Sequence, residues 1–153
     1  MQNNLLSPLG FNLKIAITPN VNYSVQKVTM PGLQLGAANI PTPFVRLSTP
    51  GNLTYDTLDV TFKVGENLEN YLEIFNWMVA LGHPDTFAQY EKKTSDASVI
   101  ILNSARHPIF SVHFTDLYPA SLSPIDFNTT LTDVQYVDAV VRFNFNRFYY
   151  DVL

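Results

Sequence analysis

Three histidines are the side chains best suited to acid–base or metal chemistry in this 153-residue chain, which contains no cysteine. His83 stands beside Pro84, His107 falls in a turn, and His113 lies in an alternating segment. Metal ligands occur at characteristic spacings, and these three positions are scattered instead. We expect surface or structural histidines, and therefore no catalytic residue, no metal site and no cofactor.

Carboxylate pairs are the second set of groups that could transfer protons. Asp56 and Asp59 are three residues apart at the start of a strand-like segment, so without a bulge their side chains point to opposite faces and share neither a proton nor a metal ion. Asp133 and Asp138 flank the start of the last alternating segment and are expected to be solvated. The chain has no G-x-S-x-G motif and no glycine-rich phosphate loop. We expect no enzyme, and a hydrolase with a cryptic site is the weakest alternative.

The composition of the chain limits the classes of partner that it is expected to bind. Apolar residues make up 46% of the chain and charged residues only 14%, against about 25% in typical soluble domains. The formal net charge is −4, so we do not expect the basic surface with which proteins bind the phosphate backbone of nucleic acids. The aromatic run FNFNRFYY at 143–150 could stack on bases, but its alternation is more typical of a core strand with an aromatic tail. A surface with so few charges is often covered by other proteins.

Hydrophobic alternation with a period of two predicts six or seven strands. The segment 57–64 alternates strictly between apolar and polar residues, as a half-buried strand does. The segments 11–18 and 22–30 are separated by Pro19-Asn20 and are predicted to pair as an antiparallel hairpin. Further strands are predicted at 98–102, 108–114 and 134–146, the first two joined by a turn.

One segment follows the helical period instead. Apolar residues recur at spacings of three and four between 65 and 84 and predict a single amphipathic helix at about 67–81. Asn67 or Glu66 is expected to cap its start, and Trp77, beside the apolar stripe, is expected to pack in the core. The predicted core-facing stripe contains Leu68, Tyr71, Leu72, Phe75 and Val79, with Met78 at its border.

The connection at 31–52 is far longer than the two to five residues, roughly, that join neighbouring strands. Its prolines at 31, 41, 43 and 50 are incompatible with a central strand, and its apolar residues argue against a disordered linker. We therefore predict an extended arm that packs against a neighbouring subunit or ring; the alternative is an arm folded over its own sheet. The predicted interface residues are Leu33, Leu35, Ile40, Phe44 and Leu47.

The order of these elements resembles the tail tube proteins of contractile-tailed bacteriophages. The matching motifs are the Met-Pro-Gly turn and long hairpin after the second strand, YDTLDVTFKV (55–64) before the helix, Asn-Trp near the helix end, LYPASLSPIDFN (117–128), and VQYVDAVVRFNFNRFYY (134–150) as the closing strand. The resemblance implies one tail-tube-like domain over residues 1–153, mainly β, a sandwich or small barrel of antiparallel strands with one helix.

The resemblance also implies a structural virion protein. Six copies would form a ring, and rings would stack into the tail tube, contacting sheath and baseplate or tail-terminator proteins. DNA would pass through the lumen without specific binding, and the protein would be assembled in the host cytoplasm into the virion tail. A baseplate tube-initiator or adaptor ring of the same fold and a non-enzymatic β-sandwich binding module are the alternatives.

The polar face of the 57–64 strand provides candidates for the channel wall. A wall that lets DNA slide should repel phosphate, so Asp, Asn and Thr are expected there rather than Lys or Arg. Asp59 and Thr61 are the predicted lumen residues.

Overall fold

The computed structural model describes residues 4–83 and 94–153, and within these ranges the chain forms nine strands and two helices. Most of the regular structure is antiparallel sheet, which confirms the predicted fold class. In chain order the elements are β1 (Phe11–Ile15), α1 (Pro19–Ser24), β2 (Val25–Thr29), β3 (Leu33–Ile40), β4 (Leu47–Tyr55), β5 (Leu58–Lys63), α2 (Glu69–Gly82), β6 (Ser95–Leu102), β7 (Pro108–Leu122), β8 (Asp138–Asn144) and β9 (Arg147–Val152).

Seven of the strands form one sheet around the long strand β7, and we call this sheet with its two helices the body. The order is β1-β6-β7-β8-β5-β2, and β9 pairs with the first half of β7. The second half of β7 pairs with β8. The other two strands, β3 and β4, pair only with each other in a separate hairpin.

The sheet bends where β7 passes from β9 to β8. Asp116 has a positive φ of 54°, a conformation that Asp tolerates better than most residues, and it interrupts the regular ladder of β7. Asn146, between β8 and β9, donates its backbone N–H to Thr115 O and its side-chain amide to Asp116 Oδ2 at 2.8 Å. The two chain segments therefore bend at the same place and are tied together there.

The core consists of apolar side chains that alternate along the strands on both sides of this bend. The fully buried residues Leu58, Val60 and Phe62 of β5 confirm the predicted alternation of that segment. Trp77 of α2 is 6% exposed, and its ring lies 6.0 Å from that of Phe143 in β8, so its predicted packing role is confirmed. The other large, fully buried side chains are Phe114, Ile15, Ile74, Leu117 and several valines.

The predicted hairpin between 11–18 and 22–30 is wrong. β1 pairs with β6 and β2 pairs with β5, and the missed helix α1 lies between them. Pro19 occupies the first turn of α1, where its missing N–H costs nothing. The side-chain amide of Asn22 bonds both Ile15 N (3.1 Å) and Ile15 O (2.7 Å), replacing the strand partner that a hairpin would have supplied.

β6 and β7 extend further than predicted, whereas β8 is shorter than the strand predicted at 134–146. β7 continues to Leu122, beyond its predicted end at residue 114, because β8 offers it a second ladder. The aromatic tail forms the separate strand β9 on the free edge of β7. The predicted pairing of the strands around the turn before Pro108 is confirmed by the antiparallel β6–β7 pair.

The helix at 67–81 is confirmed as α2, but its predicted core-facing stripe is only partly right: Tyr71 and the border residue Met78 pack against the core, and the other large apolar members do not. The core side of α2 carries Asn70, Ile74 and Trp77, whereas Leu72, Phe75 and Val79 are 43–48% exposed. Apolar residues occupy two faces of this helix, so periodicity alone selects neither. The N-cap position itself is held by Leu68, which makes no side-chain capping bond, but the side chain of Asn67, one of the two predicted caps, accepts the N–H of Glu69 at the start of α2 at 3.4 Å.

Polar contacts decide which face of α2 packs inward. The Glu73 carboxylate accepts the N–H groups of Asn20 and Val21 at the start of α1, in the place of a capping side chain. The buried Asn70 amide donates to Ser24 Oγ at 2.9 Å and to Lys63 O at 2.6 Å, and its oxygen accepts Gly65 N–H at 3.1 Å. Both sets of contacts form only if the face of α2 that carries positions 70, 73, 74 and 77 packs inward.

We expect Asn70→Ala to lower the free energy of unfolding by about 2–3 kcal/mol, because it leaves buried backbone groups of β5 and the following turn without partners. Asn76→Ala on the exposed side of the same helix is the matched control, with an expected change below about 0.5 kcal/mol. Urea denaturation followed by tryptophan fluorescence measures both values. Equal effects of the two substitutions would contradict the role of Asn70.

Candidate assembly surfaces

The hairpin of β3 and β4, with the loop that joins them, is the arm predicted at about 31–52, and its second strand extends to Tyr55. Ile40 faces Leu47 across the ladder near the loop, and Leu35 faces Leu53 nearer the body. A bulge lies between these pairs, where a Cβ on Gly51 would lie 3.0 Å from Gly36 O, so the two strands approach closely only because glycine is present.

Aromatic packing and one backbone bond attach the arm to the bend of the sheet. The ring of Tyr55, the last residue of β4, lies 5.8 Å from Phe145 and 5.4 Å from Phe148. Both of these rings also contact Phe114 of β7, at 5.0 and 5.6 Å. Asp56 N–H donates to Gly32 O at 3.1 Å and closes the base of the hairpin. The base of the arm is therefore held by the core, whereas the rest of the hairpin is not.

The structure places all five predicted interface residues on the arm and leaves all of them exposed. Ile40 and Leu47 are brought together as a cross-strand pair, while Leu33 and Leu35 lie along β3 nearer the body. Phe44 lies in the connecting loop and is 96% exposed. Such side chains gain from burial only if another surface covers them.

Arg46 is the single charged residue between 31 and 55. It lies in the same loop as Phe44 and Val45, directly before Leu47. We call residues 40–47 the arm tip. The tip thus combines a strongly apolar surface with one positive charge.

A second exposed apolar surface lies on α2. Leu72, Phe75 and Val79 follow one another at helical spacing on the side opposite the core, and we call them the outer row. Glu69 lies three residues before Leu72 and borders the row. Within the described part of the chain, the Glu69 carboxylate makes no hydrogen bond or ion pair; Arg46 likewise has none.

The predicted lumen residues Asp59 and Thr61 lie on the outward face of the sheet, in β5. Asp59 accepts a hydrogen bond from Thr57 Oγ1 at 2.9 Å and lies 3.8 Å from Arg142 Nε. The same face carries Lys63, paired with Asp138 at 2.7 Å. The charges on this face are thus mostly balanced rather than uniformly acidic, and the role of Asp59 and Thr61 in a channel stays a prediction.

The structure brings no catalytic or metal-binding group of residues together among the residues it describes. His113 Nε2 lies 3.7 Å from Asp151 Oδ2 and its ring lies 5.2 Å from that of Tyr149, whereas His83 follows the end of α2. No cluster of three or more potential metal ligands occurs in residues 4–83 and 94–153. None of the helices in these ranges is both long and apolar enough to cross a membrane.

Sequence reasoning missed two groups of exposed apolar residues outside the arm and the outer row. They are Leu5, Leu6 and Leu9 before β1, and Phe127, Leu131, Val134 and Tyr136 between β7 and β8. The first group and part of the second lie in segments without periodicity, where only composition could have signalled them, whereas Val134 and Tyr136 fall within the strand predicted at 134–146.

Comparison with solved structures identifies the fold. A chain from the extended sheath-tube complex of an extracellular contractile injection system, PVC, matches with a TM-score of 0.75 over 99% of this chain and 94% of that chain, at 12% identity. A chain from the tube terminating cap of the anti-feeding prophage matches with a TM-score of 0.75 over 100% and 95%, at 10% identity. The resemblance predicted from sequence is confirmed: this chain has the fold of the tail tube family.

One known protein is also similar to this chain in sequence. The tail tube terminator protein of Enterobacteria phage T4 is 28% identical over 120 residues, which cover 74% of this chain and 68% of the phage protein. No protein-family model matches the chain.

Because the arm residues are exposed, we expect the triple variant Leu35→Ser, Ile40→Ser and Phe44→Ser to retain its fold. Its free energy of unfolding should fall by no more than about 1 kcal/mol and its melting temperature by no more than about 4 °C. Phe62→Ala, in the core, should cost about 3–5 kcal/mol in the same calorimetric experiment. A comparable loss in the triple variant would show that the arm belongs to the core of its own chain.

Proposed function

We propose that the chain is a structural tail protein that forms a hexameric ring and terminates the tail tube of a contractile phage tail. The observation that carries this proposal is the arm, an ordered hairpin of exposed apolar residues anchored only at its base. A monomer gains nothing from such a surface, whereas partial burial of each large side chain in an assembly contributes up to roughly 1.5–3 kcal/mol.

The open strands of the body also support closure into a ring. β2, β9 and β1 each pair with a single strand, so each has one edge without a ladder, although Asn22 covers the end of β1. Unpaired edges promote uncontrolled association, and pairing them with neighbouring subunits removes that hazard. In a closed ring, one free strand edge of each copy pairs with a free strand edge of the next copy, so the sheet continues around the ring.

The terminator position rests on the sequence relative rather than on the fold. Chains from a sheath-tube complex and from a terminating cap match equally well in three dimensions, so the architecture serves several ring positions. The T4 tail tube terminator is similar in its sequence as well. A ring within the tube, or a baseplate ring that initiates it, is the second candidate, supported by a TM-score of 0.70 to a chain from the anti-feeding prophage baseplate.

The proposed ring lies in the virion tail after assembly in the host cytoplasm, in contact with tube and sheath subunits. DNA passes through it without specific binding, in accordance with the net charge of −4 and the balanced charges beside Asp59. No catalytic step is part of this function.

We expect the purified protein to assemble into single closed rings with six times the mass of one chain, measured by native mass spectrometry and viewed by negative-stain electron microscopy. The triple arm variant should lose most of its rings while keeping its melting temperature. Long filaments from the wild-type chain would assign it to the tube itself. A protein that remains monomeric at high concentration would contradict the ring.

A further inference from the structure

We propose that the arm tip of one subunit docks on the outer row of α2 of the neighbouring copy in the ring, with Arg46 paired to Glu69. This contact requires the ring proposed above and names the two surfaces that form it. Both surfaces are apolar, both are exposed, and each has one charge at its border.

Charge complementarity supports the pairing of these two surfaces. Arg46 is the only charge on the arm, and it has no partner within the described residues. On α2, Glu73 is already committed to the first turn of α1, whereas Glu69 beside the outer row is free of such contacts in the described chain. Opposite charges at the rim of an apolar contact fix its register, even where they add little to its strength.

Apolar complementarity supplies the affinity. Phe44, Val45 and Leu47 of the tip are exposed apolar side chains, and Leu72, Phe75 and Val79 form a row of exposed apolar side chains on α2. Within one chain, α2 packs on α1 and β7, while β3 and β4 contact mainly each other. The arm of the same chain therefore does not cover the outer row, and the proposal assigns the row to the arm of a neighbouring copy.

Charge-reversal variants test whether Arg46 and Glu69 meet between two copies of the chain or within a single copy. Arg46→Glu places two acidic groups together, and Glu69→Arg places two basic groups together, so either variant alone should show about tenfold fewer rings at a fixed concentration. When the two variants are mixed in equal amounts, every arm meets a helix of opposite charge in the next copy, and rings should return. The double variant should assemble by itself.

Arg106→Glu, in the exposed turn between β6 and β7, is the matched control and should leave ring formation unchanged. Failure of the mixture to restore rings, or normal rings from the Arg46→Glu protein, would overturn the contact and leave the outer row to a different protein such as a sheath subunit. Wild-type protein without rings would overturn the ring and the contact together, so the two failures are distinguishable.

Cross-linking provides a direct measurement, because the natural chain has no cysteine. A Val45→Cys chain mixed with a Leu72→Cys chain should form a disulfide-linked heterodimer under mild oxidation, detected on a non-reducing gel. The Val45→Cys chain mixed with a Ser104→Cys chain is the control and should give at least about tenfold less product. Equal yields from the two mixtures would overturn the proposed docking.

Discussion

The shared bend of β7 and the β8–β9 segment is the constraint on which the other features depend. Asp116 and Asn146 turn both segments at one point, and Phe114, Phe145 and Phe148 pack around it. Aromatic pairs of this kind contribute about 0.5–1.5 kcal/mol each beyond their burial. Because Tyr55 joins the same cluster, the bend of the sheet also holds the base of the arm.

The chain separates the apolar residues that fold it from those that remain for assembly. Side chains such as Val60 and Phe143 are completely buried, whereas Phe44 on the arm and Phe75 on α2 are exposed. Exposed apolar area on this scale is a liability in a monomer and is typical of subunits whose surfaces become interfaces. The low charged fraction of 14% is consistent with this division.

Chains from a sheath-tube complex, a terminating cap and a baseplate share this fold, so what distinguishes such chains from one another lies on their surfaces rather than in the architecture. The alternation of buried and exposed side chains that builds the sheet is compatible with a place in any of these assemblies. Features such as the single arginine of the arm tip, the outer row of α2 and the exposed residues at 127–136 differ from core positions because the fold does not require them. Such surfaces are where a terminator can differ from a tube subunit.

The sequence by itself determined the strands whose two faces differ, the existence of α2, and the arm. Strict alternation in β5 admits one burial pattern, and the prolines and glycines of 31–52 exclude a central strand. Only the tertiary structure decided that β1 pairs with β6, because strand pairing depends on partners far along the chain that a local turn does not reveal. It also decided which face of α2 is buried. Both faces are apolar, and the choice depends on Asn70 and Glu73 meeting backbone groups that only the folded chain brings near them.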